Sequence, residues 1–214
     1  MCHPGPVSEY VGGVTRTDVL LFLAPCAPHP EADRARIPEA VARLCRVEPA
    51  TVRIEQRCER CGGAHGRPSV HHPAGVQVSL SRAGGSVVVA VSRVGVIGVD
   101  IESVEAVGRA GFDDVAFNAG ERATIDALPS GERDAVRARL WTMKEAVLKL
   151  SGDGLSVDPR ELSVRWSAAG ASALLSWSTA TLDPAQVRFV PFEAGPGLVG
   201  TLAVLGGTPR VTVF

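Results

Sequence analysis

The chain contains very little lysine. Of its 22 basic residues, 20 are arginine, and the remaining two are Lys144 and Lys149, five positions apart in a sequence of 214 residues. A GC-rich genome would account for the arginines. An ammonium is more compact than a guanidinium and can lose its proton, which arginine cannot do. The two lysines are therefore candidates for a role that arginine does not fill.

Other absences exclude whole classes of protein. The formal net charge is −1, so there is no overall basic field of the kind that binds nucleic acid. No stretch approaches the roughly 18 apolar residues of a membrane span. The first residues lack the basic and apolar regions of a signal peptide, and the cysteine count of five is odd. These features predict a cytoplasmic protein with reduced thiols and neither nucleic acid nor membrane as partner.

Hydrophobic patterning predicts an α+β fold. Short apolar or alternating stretches indicate strands near residues 19–23, 51–55, 76–80, 87–91 and 96–102, and again near 162–166, 173–178, 187–192, 198–205 and 210–214. The centre of the chain is helical in pattern, with a helix starting at the capping box of Asn118 and Glu121. Another helix is expected over 37–44, and the proline-rich segment 25–31 is expected to be loop. Strands, then helices, then strands are typical of α+β folds.

The longest predicted helix covers about residues 132–150. One apolar stripe recurs at helical spacing, formed by Val136, Leu140, Met143, Val147 and Leu150. At about 100° per residue, Trp141, Glu145 and Lys149 fall on the opposite face. They could be a surface indole beside an ordinary i, i+4 ion pair, or they could line a cleft. The indole and the scarcity of lysine favour the cleft.

A second candidate lies on the strand that contains Asp100 and Glu102. Side chains alternate along a strand, so these two carboxylates face the same way while Val99 and Ile101 face the other. A half-exposed strand with acidic residues toward water would give this pattern. So would a hard-cation site, because Mg²⁺ binds through one or two carboxylates and leaves room for phosphates.

Two further segments could hold a phosphate. Gly66-Arg67-Pro68 and Ser79-Leu80-Ser81-Arg82, followed by Gly84-Gly85, combine hydroxyls, guanidinium groups and glycine turns. The second segment is also compatible with an ordinary hairpin turn.

Together these residues resemble the 4′-phosphopantetheinyl transferases. Ile97-Gly-Val-Asp100-Ile-Glu102, a gap, and Trp141-x-x-Lys144-Glu145-Ala-x-x-Lys149 match the two motifs of that family. Further matches in the expected order are Gly66-Arg67-Pro68, Ser79-x-Ser81-Arg82, Phe117-Asn-x-x-Glu121-Arg122 and Gly152-x-Gly154-Leu155. The length is similar to the larger, surfactin-synthetase-activating type. That resemblance implies a monomer of two similar α+β halves related by a pseudo-twofold axis, at residues 1–102 with the coenzyme A loops and 103–214 with the Lys-Glu helix.

The resemblance also implies a reaction and the residues that carry it. Such enzymes transfer 4′-phosphopantetheine from coenzyme A to a serine of an apo acyl or peptidyl carrier protein and release adenosine 3′,5′-bisphosphate. By similarity, Asp100, Glu102 and Glu145 would hold Mg²⁺, and Glu145 and Lys149 would be catalytic. The residues implied to contact coenzyme A are Arg67, Pro68, Ser81, Arg82, Lys144 and Lys149.

Several positions depart from the family pattern or leave alternatives open. Arg82 stands where the family has histidine, which keeps a cation but loses a group that titrates near neutral pH. Cys58, Cys61 and His65 have the spacing of a zinc knuckle, or form a turn with free thiols. The candidates for the basic residue that reaches the 3′-phosphate of coenzyme A are Arg34, Arg36, Arg43 and Arg46, and the sequence does not choose among them.

The Arg82 departure also motivates a second hypothesis for function. It is a coenzyme A-binding regulatory homologue with weak catalysis. A third hypothesis is a Mg²⁺-dependent pyrophosphate hydrolase.

Overall fold

The structure, a computed structural model, describes residues 18–57, 62–63, 66–168, 172–178 and 182–214. Within these ranges the strands are β1 (Asp18–Pro25), β2 (Arg53–Gln56), β3 (Pro68–His72), β4 (Gln77–Ala83), β5 (Ser86–Ser92), β6 (Ile97–Ser103), β7 (Leu162–Arg165), β8 (Ala173–Trp177), β9 (Val187–Phe192), β10 (Leu198–Leu205) and β11 (Arg210–Val213). The helices are α1 (Pro30–Arg34), α2 (Ile37–Cys45), α3 (Val104–Ala110), α4 (Asp113–Ala116), α5 (Ala119–Asp126) and α6 (Ser130–Ser151). The predicted α+β class is confirmed.

Two larger sheets form the centre of the molecule. One has the strand order β11-β1-β5-β4 and the other the order β6-β10-β9. The β2-β3 and β7-β8 hairpins are separate two-stranded sheets. The chain's last strand, β11, pairs in parallel with β1, so the C-terminal segment completes the sheet that the N-terminal segment begins.

Alternation along the strands builds a layered core. On β1, Val19 and Leu21 face the second sheet, where they meet Val99 and Ile101 of β6. The intervening Leu20 faces the other way and packs with α2. Because successive strand side chains point to opposite faces, one sheet can serve two cores. The layers therefore run α2, first sheet, second sheet, α6.

Helix α6 is buried on almost every side of its C-terminal half. The five residues of the predicted apolar stripe are all at most 7% exposed. From residue 141 to residue 150, only Trp141, Glu145 and Lys149 are partly exposed. The helix ends at Gly152, whose φ of 89° is a left-handed conformation that favours glycine. The predicted helix, its core face and its open face are confirmed.

Other sequence predictions differ from the structure at short elements. The predicted strands are present, but β3, α1, α3 and α4 were not predicted. Segment 25–31 is only partly loop, because β1 reaches Pro25 and α1 begins at Pro30. The predicted division after residue 102 falls inside β6, which pairs with β10. The two-half organisation stays a prediction. None of the described helices is both long enough and apolar enough to cross a membrane.

Candidate active site

Gly98 sets how closely α6 approaches β6. A Cβ at this position would lie 1.9 Å from the carbonyl oxygen of Ala146 and 2.5 Å from the backbone nitrogen of Leu150. Only glycine permits this contact, because both neighbours are helix backbone and cannot rotate away. Asp100 and Glu102 follow at alternate positions on the same face of β6, so they also face α6.

Asp100 is the most enclosed acid of the site, at 2% exposure. Its Oδ1 accepts hydrogen bonds from Ser81 Oγ at 2.7 Å and from Lys149 Nζ at 2.6 Å. Its Oδ2 is buried and has no hydrogen-bond partner. Burial raises the pKa of Asp100, and the Lys149 ammonium opposes that rise. The interpretation of a half-exposed strand with its acids toward water is therefore wrong for Asp100.

Lys149 reaches across from α6 to β6. Besides Asp100, its Nζ donates to the backbone oxygen of Val99 at 3.2 Å, and the side chain is 28% exposed. The pKa values of Glu102 and Glu145 are raised by burial, and the Lys149 ammonium opposes that rise at both residues. Lys149 thus pairs with a buried strand carboxylate and is not half of a surface i, i+4 pair. One positive charge stands among three carboxylates.

The other two carboxylates are half-buried and electrostatically strained. Burial, followed by repulsion from Asp100, raises the pKa of Glu102 to about 7, although a hydrogen bond from the Trp141 side chain opposes the rise. Burial and then Asp100 also raise the pKa of Glu145. Like charges that cannot move apart favour either a bound proton or a bound cation.

The donor set fits a hard divalent cation by its chemistry. It supplies carboxylate oxygens only, and one of them, Asp100 Oδ2, is buried without a partner. Within the described ranges, no three His, Cys, Asp or Glu side chains are grouped closely enough to hold a metal ion as they stand. The carboxylates are therefore neighbours around Lys149 and not a closed coordination shell.

Lys144 lies outside this cluster. It is completely buried, and its Nζ donates to Ala116 O at 2.8 Å and Pro159 O at 3.0 Å, with Glu121 Oε2 at 2.5 Å. An ammonium has three donors, and all three are engaged. No donor is left for a coenzyme A phosphate, so the implied phosphate contact of Lys144 does not fit this geometry.

Arg67 lies at the C-terminal end of α6. Its Nη1 donates to Leu150 O at 3.0 Å and its Nη2 to Gln77 Oε1 at 3.1 Å. Burial lowers the pKa of Arg67. Pro68 follows as the first residue of β3. Arg67 therefore joins the start of β4 to the C-terminal end of α6, the helix that carries Lys149.

The two serines of β4 join that strand to β6. Ser81 donates to Asp100, while Ser79 Oγ accepts the backbone N–H of Val99 at 3.0 Å. Both serines are 6% exposed. They take the place of ladder hydrogen bonds between neighbouring strands of different sheets. Ser81 therefore contacts the acid cluster.

Arg82 points away from Ser81, toward the segment before α2. Its Nε lies 2.7 Å from Oδ2 of the fully buried Asp33, while its Nε–H is directed at Cys26 Sγ at 3.4 Å. The Asp33 contact is therefore ionic and not a directed hydrogen bond. A second donor, Nη2, reaches Ala27 O at 3.0 Å. Arg82 fastens this segment to β4.

Sequence reasoning missed two buried acids that hold these cations. The sequence marked Glu121 as a helix cap and a family motif position without indicating its pairing with Lys144, and nothing in the local sequence marked Asp33. Both are nearly or fully buried and pair with a cation distant in the chain. Cys58, Cys61 and His65 of the zinc hypothesis lie outside the described residues.

Comparison with known proteins defines the class to which this fold and site belong. A family model described as the 4′-phosphopantetheinyl transferase superfamily matches residues 96–199, which include β6 and α6. A holo-[acyl-carrier-protein] synthase of Verminephrobacter eiseniae (strain EF01-2) is 38% identical over 95 residues, covering 40% of this chain and 71% of that protein. The chain belongs to the 4′-phosphopantetheinyl transferase superfamily.

Other relatives are less identical in sequence. The 4′-phosphopantetheinyl transferase psf-1 of Bacillus pumilus is 33% identical over 110 residues, 51% of this chain, and the chain spans 46% of its length. A holo-(acyl-carrier-protein) synthase of Bacillus anthracis str. Ames, solved with CoA (3′,5′-ADP), has a TM-score of 0.43 at 21% identity. It covers 54% of this chain and 97% of its own.

Proposed function

We propose that this protein transfers 4′-phosphopantetheine from coenzyme A to a serine hydroxyl of an apo carrier protein, releasing adenosine 3′,5′-bisphosphate. The observation that carries the proposal is the open face of α6. Its Glu145 and Lys149 are the partly exposed polar residues of an otherwise buried stretch. Lys149 contacts Asp100 of β6, and the charge of Asp100 also acts on Glu145. Family membership through the segment that contains both elements supports the same activity.

Asp100, Glu102 and Glu145 would hold Mg²⁺ in this proposal. The raised pKa values of all three and the unpartnered Asp100 Oδ2 support a cation there. When bound, Mg²⁺ would supply positive charge for the pyrophosphate of coenzyme A.

The chain's own residues have distinct roles. Glu145, whose pKa is raised, is suited to accept the proton of the carrier serine directly or through water. The serine oxygen then bonds to the phosphorus that carries pantetheine, and the bond from that phosphorus to the bridging oxygen breaks. Lys149 stabilises or protonates the departing phosphate, which leaves as adenosine 3′,5′-bisphosphate.

Arg67, Pro68, Ser81 and Arg82 would line the coenzyme A pocket. Ser81 is anchored on Asp100, and Arg67 on the end of α6, so each can shape the pocket while remaining bonded to the protein. We further propose the surfactin-synthetase-activating type, acting as a cytoplasmic monomer.

Release of adenosine 3′,5′-bisphosphate tests the proposal. With coenzyme A and Mg²⁺, release should require an apo carrier, and a carrier whose acceptor serine is changed to alanine should give none. Release without any carrier would indicate a pyrophosphate hydrolase.

The pairing of Arg82 with Asp33 favours one alternative function, because a candidate cation for coenzyme A is already engaged. That alternative is a coenzyme A-binding homologue with weak catalysis. Calorimetric binding of coenzyme A without transfer to any of several apo carriers would identify it.

A further inference from the structure

The buried cation of α6 lies directly beside a residue of the candidate site. Lys144 precedes Glu145 in the chain, and its side chain is completely buried while that of Glu145 is partly exposed. Successive helix positions are about 100° apart, so the two side chains leave α6 on different faces. Whatever fixes Lys144 therefore also fixes the rotation of the helix that presents Glu145.

Glu121 completes the other half of the contact. At 4% exposure, its Oε2 accepts from Lys144 and from the Asn118 N–H at 3.0 Å, and its Oε1 accepts from the Val164 N–H at 2.9 Å. The carboxylate thereby binds the start of α5, strand β7 and helix α6 at one point. Lys144 adds the carbonyl oxygens of Ala116 and Pro159.

Lysine suits this position better than arginine does. The three acceptors surround a single nitrogen, which matches the three donors of an ammonium. A guanidinium is larger and planar, so the neighbours of this fully buried group would have to move to admit it. A buried ion pair often adds little stability compared with an apolar pair, so its use here is better explained by a fixed geometry than by stability.

We infer that the Lys144–Glu121 ion pair is a positioning device, which sets the rotation and axial position of α6 and so holds Glu145 against Asp100 and Glu102. The inference rests on the proposed function and adds two positioning residues to it. Helix α6 is then fixed from two sides, by the Gly98 contact on β6 and by the buried ion pair on the opposite side.

The test compares Lys144→Met, Glu121→Gln and the double variant with the wild type. The control is Arg137→Met, which removes an ion pair of the same helix with Asp113 that lies two turns from the site. Three quantities are measured below each protein's melting transition: the Kd for coenzyme A by calorimetry, the Kd for Mg²⁺ in the presence of coenzyme A, and kcat with a saturating carrier.

We expect both single variants to bind coenzyme A within about twofold of the wild type, since neither residue contacts it. Mg²⁺ should bind roughly tenfold more weakly and kcat should fall by about tenfold or more, because Glu145 is displaced. In the double variant, Mg²⁺ affinity and kcat should fall no further than in the more impaired single variant, because both changes remove the same interaction. Arg137→Met should leave all three quantities unchanged.

Two results would overturn the inference. A tenfold larger Kd for coenzyme A in Lys144→Met, with kcat at saturation unchanged, would indicate that Lys144 is a phosphate ligand. Lower melting temperatures with unaltered Mg²⁺ binding and kcat would make the pair merely structural. If Lys144→Met does not fold, Glu121→Gln and the double variant decide. If the wild type transfers nothing, the proposed function fails, and Mg²⁺ binding still decides the positioning role.

Discussion

Replacing Gly98 with alanine tests whether the contact between α6 and β6 assembles the site. The new Cβ would lie 1.9 Å from Ala146 O, and real Cβ contacts essentially never fall below 3.0 Å. The helix and the strand must therefore separate by roughly 1 Å, since backbone atoms form both sides of the contact. Glu145 and Lys149 would move away from Asp100 with the helix.

Both stability and rate should respond to this separation. Overpacking of a tight contact costs about 1–3 kcal/mol in the free energy of unfolding. A displacement of about 1 Å in catalytic groups can lower a rate roughly 100-fold. Urea unfolding would report the first quantity, and initial rates of transfer to an apo carrier the second.

Gly200→Ala is the matched control. Its Cβ would lie 2.5 Å from the ring of Phe192, which is a half-buried side chain that can rotate. We expect a smaller loss of stability and a rate within a few-fold of the wild type. If Gly98→Ala retained wild-type unfolding free energy and rate, the close approach would not be what assembles the site.

Four further changes give separate tests. Lys149→Arg should keep the charge yet lose most of the transfer rate, because a guanidinium cannot release a proton; a near-normal rate would reduce Lys149 to a plain cation. The folded-state pKa of Glu102 is raised to about 7 from 4.5, so the folded protein holds the extra proton and metal-free stability should fall as pH rises from about 4.5 to 7. Melting curves should show this slope reduced in Glu102→Gln, and an unchanged slope would refute the assignment. Asp33→Asn should lower the melting temperature by leaving Arg82 without its buried counterion, and an unaltered melting temperature would show that the ion pair is unimportant. Arg82→Gln should weaken the binding of coenzyme A and of its analogue without the 3′-phosphate by the same factor. A loss of affinity for coenzyme A alone would instead place Arg82 on that phosphate.

Local patterns were sufficient to predict much of the fold. The stripe on α6, the continuous apolar run of β5 and the alternation on β6 depend on neighbouring residues alone, and those elements are present as predicted. Strand β3 was missed because Val70 is its only aliphatic residue apart from Pro68. The short helices α3 and α4 have too few turns for a periodic pattern to stand out.

The candidate site likewise has parts that local sequence patterns predict and parts that they do not. Strand alternation predicted the face of Asp100 and helix spacing predicted the shared face of Glu145 and Lys149, while only the family resemblance placed the two faces in one site. The partners of Lys144 and Arg82 could not be predicted, because Glu121 and Asp33 meet them only through the packing of distant segments. The motif positions of these two cations therefore did not identify their protein partners.

The most direct test of the central claim is the intact mass of an apo carrier protein after incubation with this protein, coenzyme A and Mg²⁺. The account predicts that the carrier gains the mass of one phosphopantetheine group on its serine, and that Asp100→Ala abolishes the gain in a protein that remains folded. No gain on several unrelated carriers, or an undiminished gain with Asp100→Ala, would contradict it.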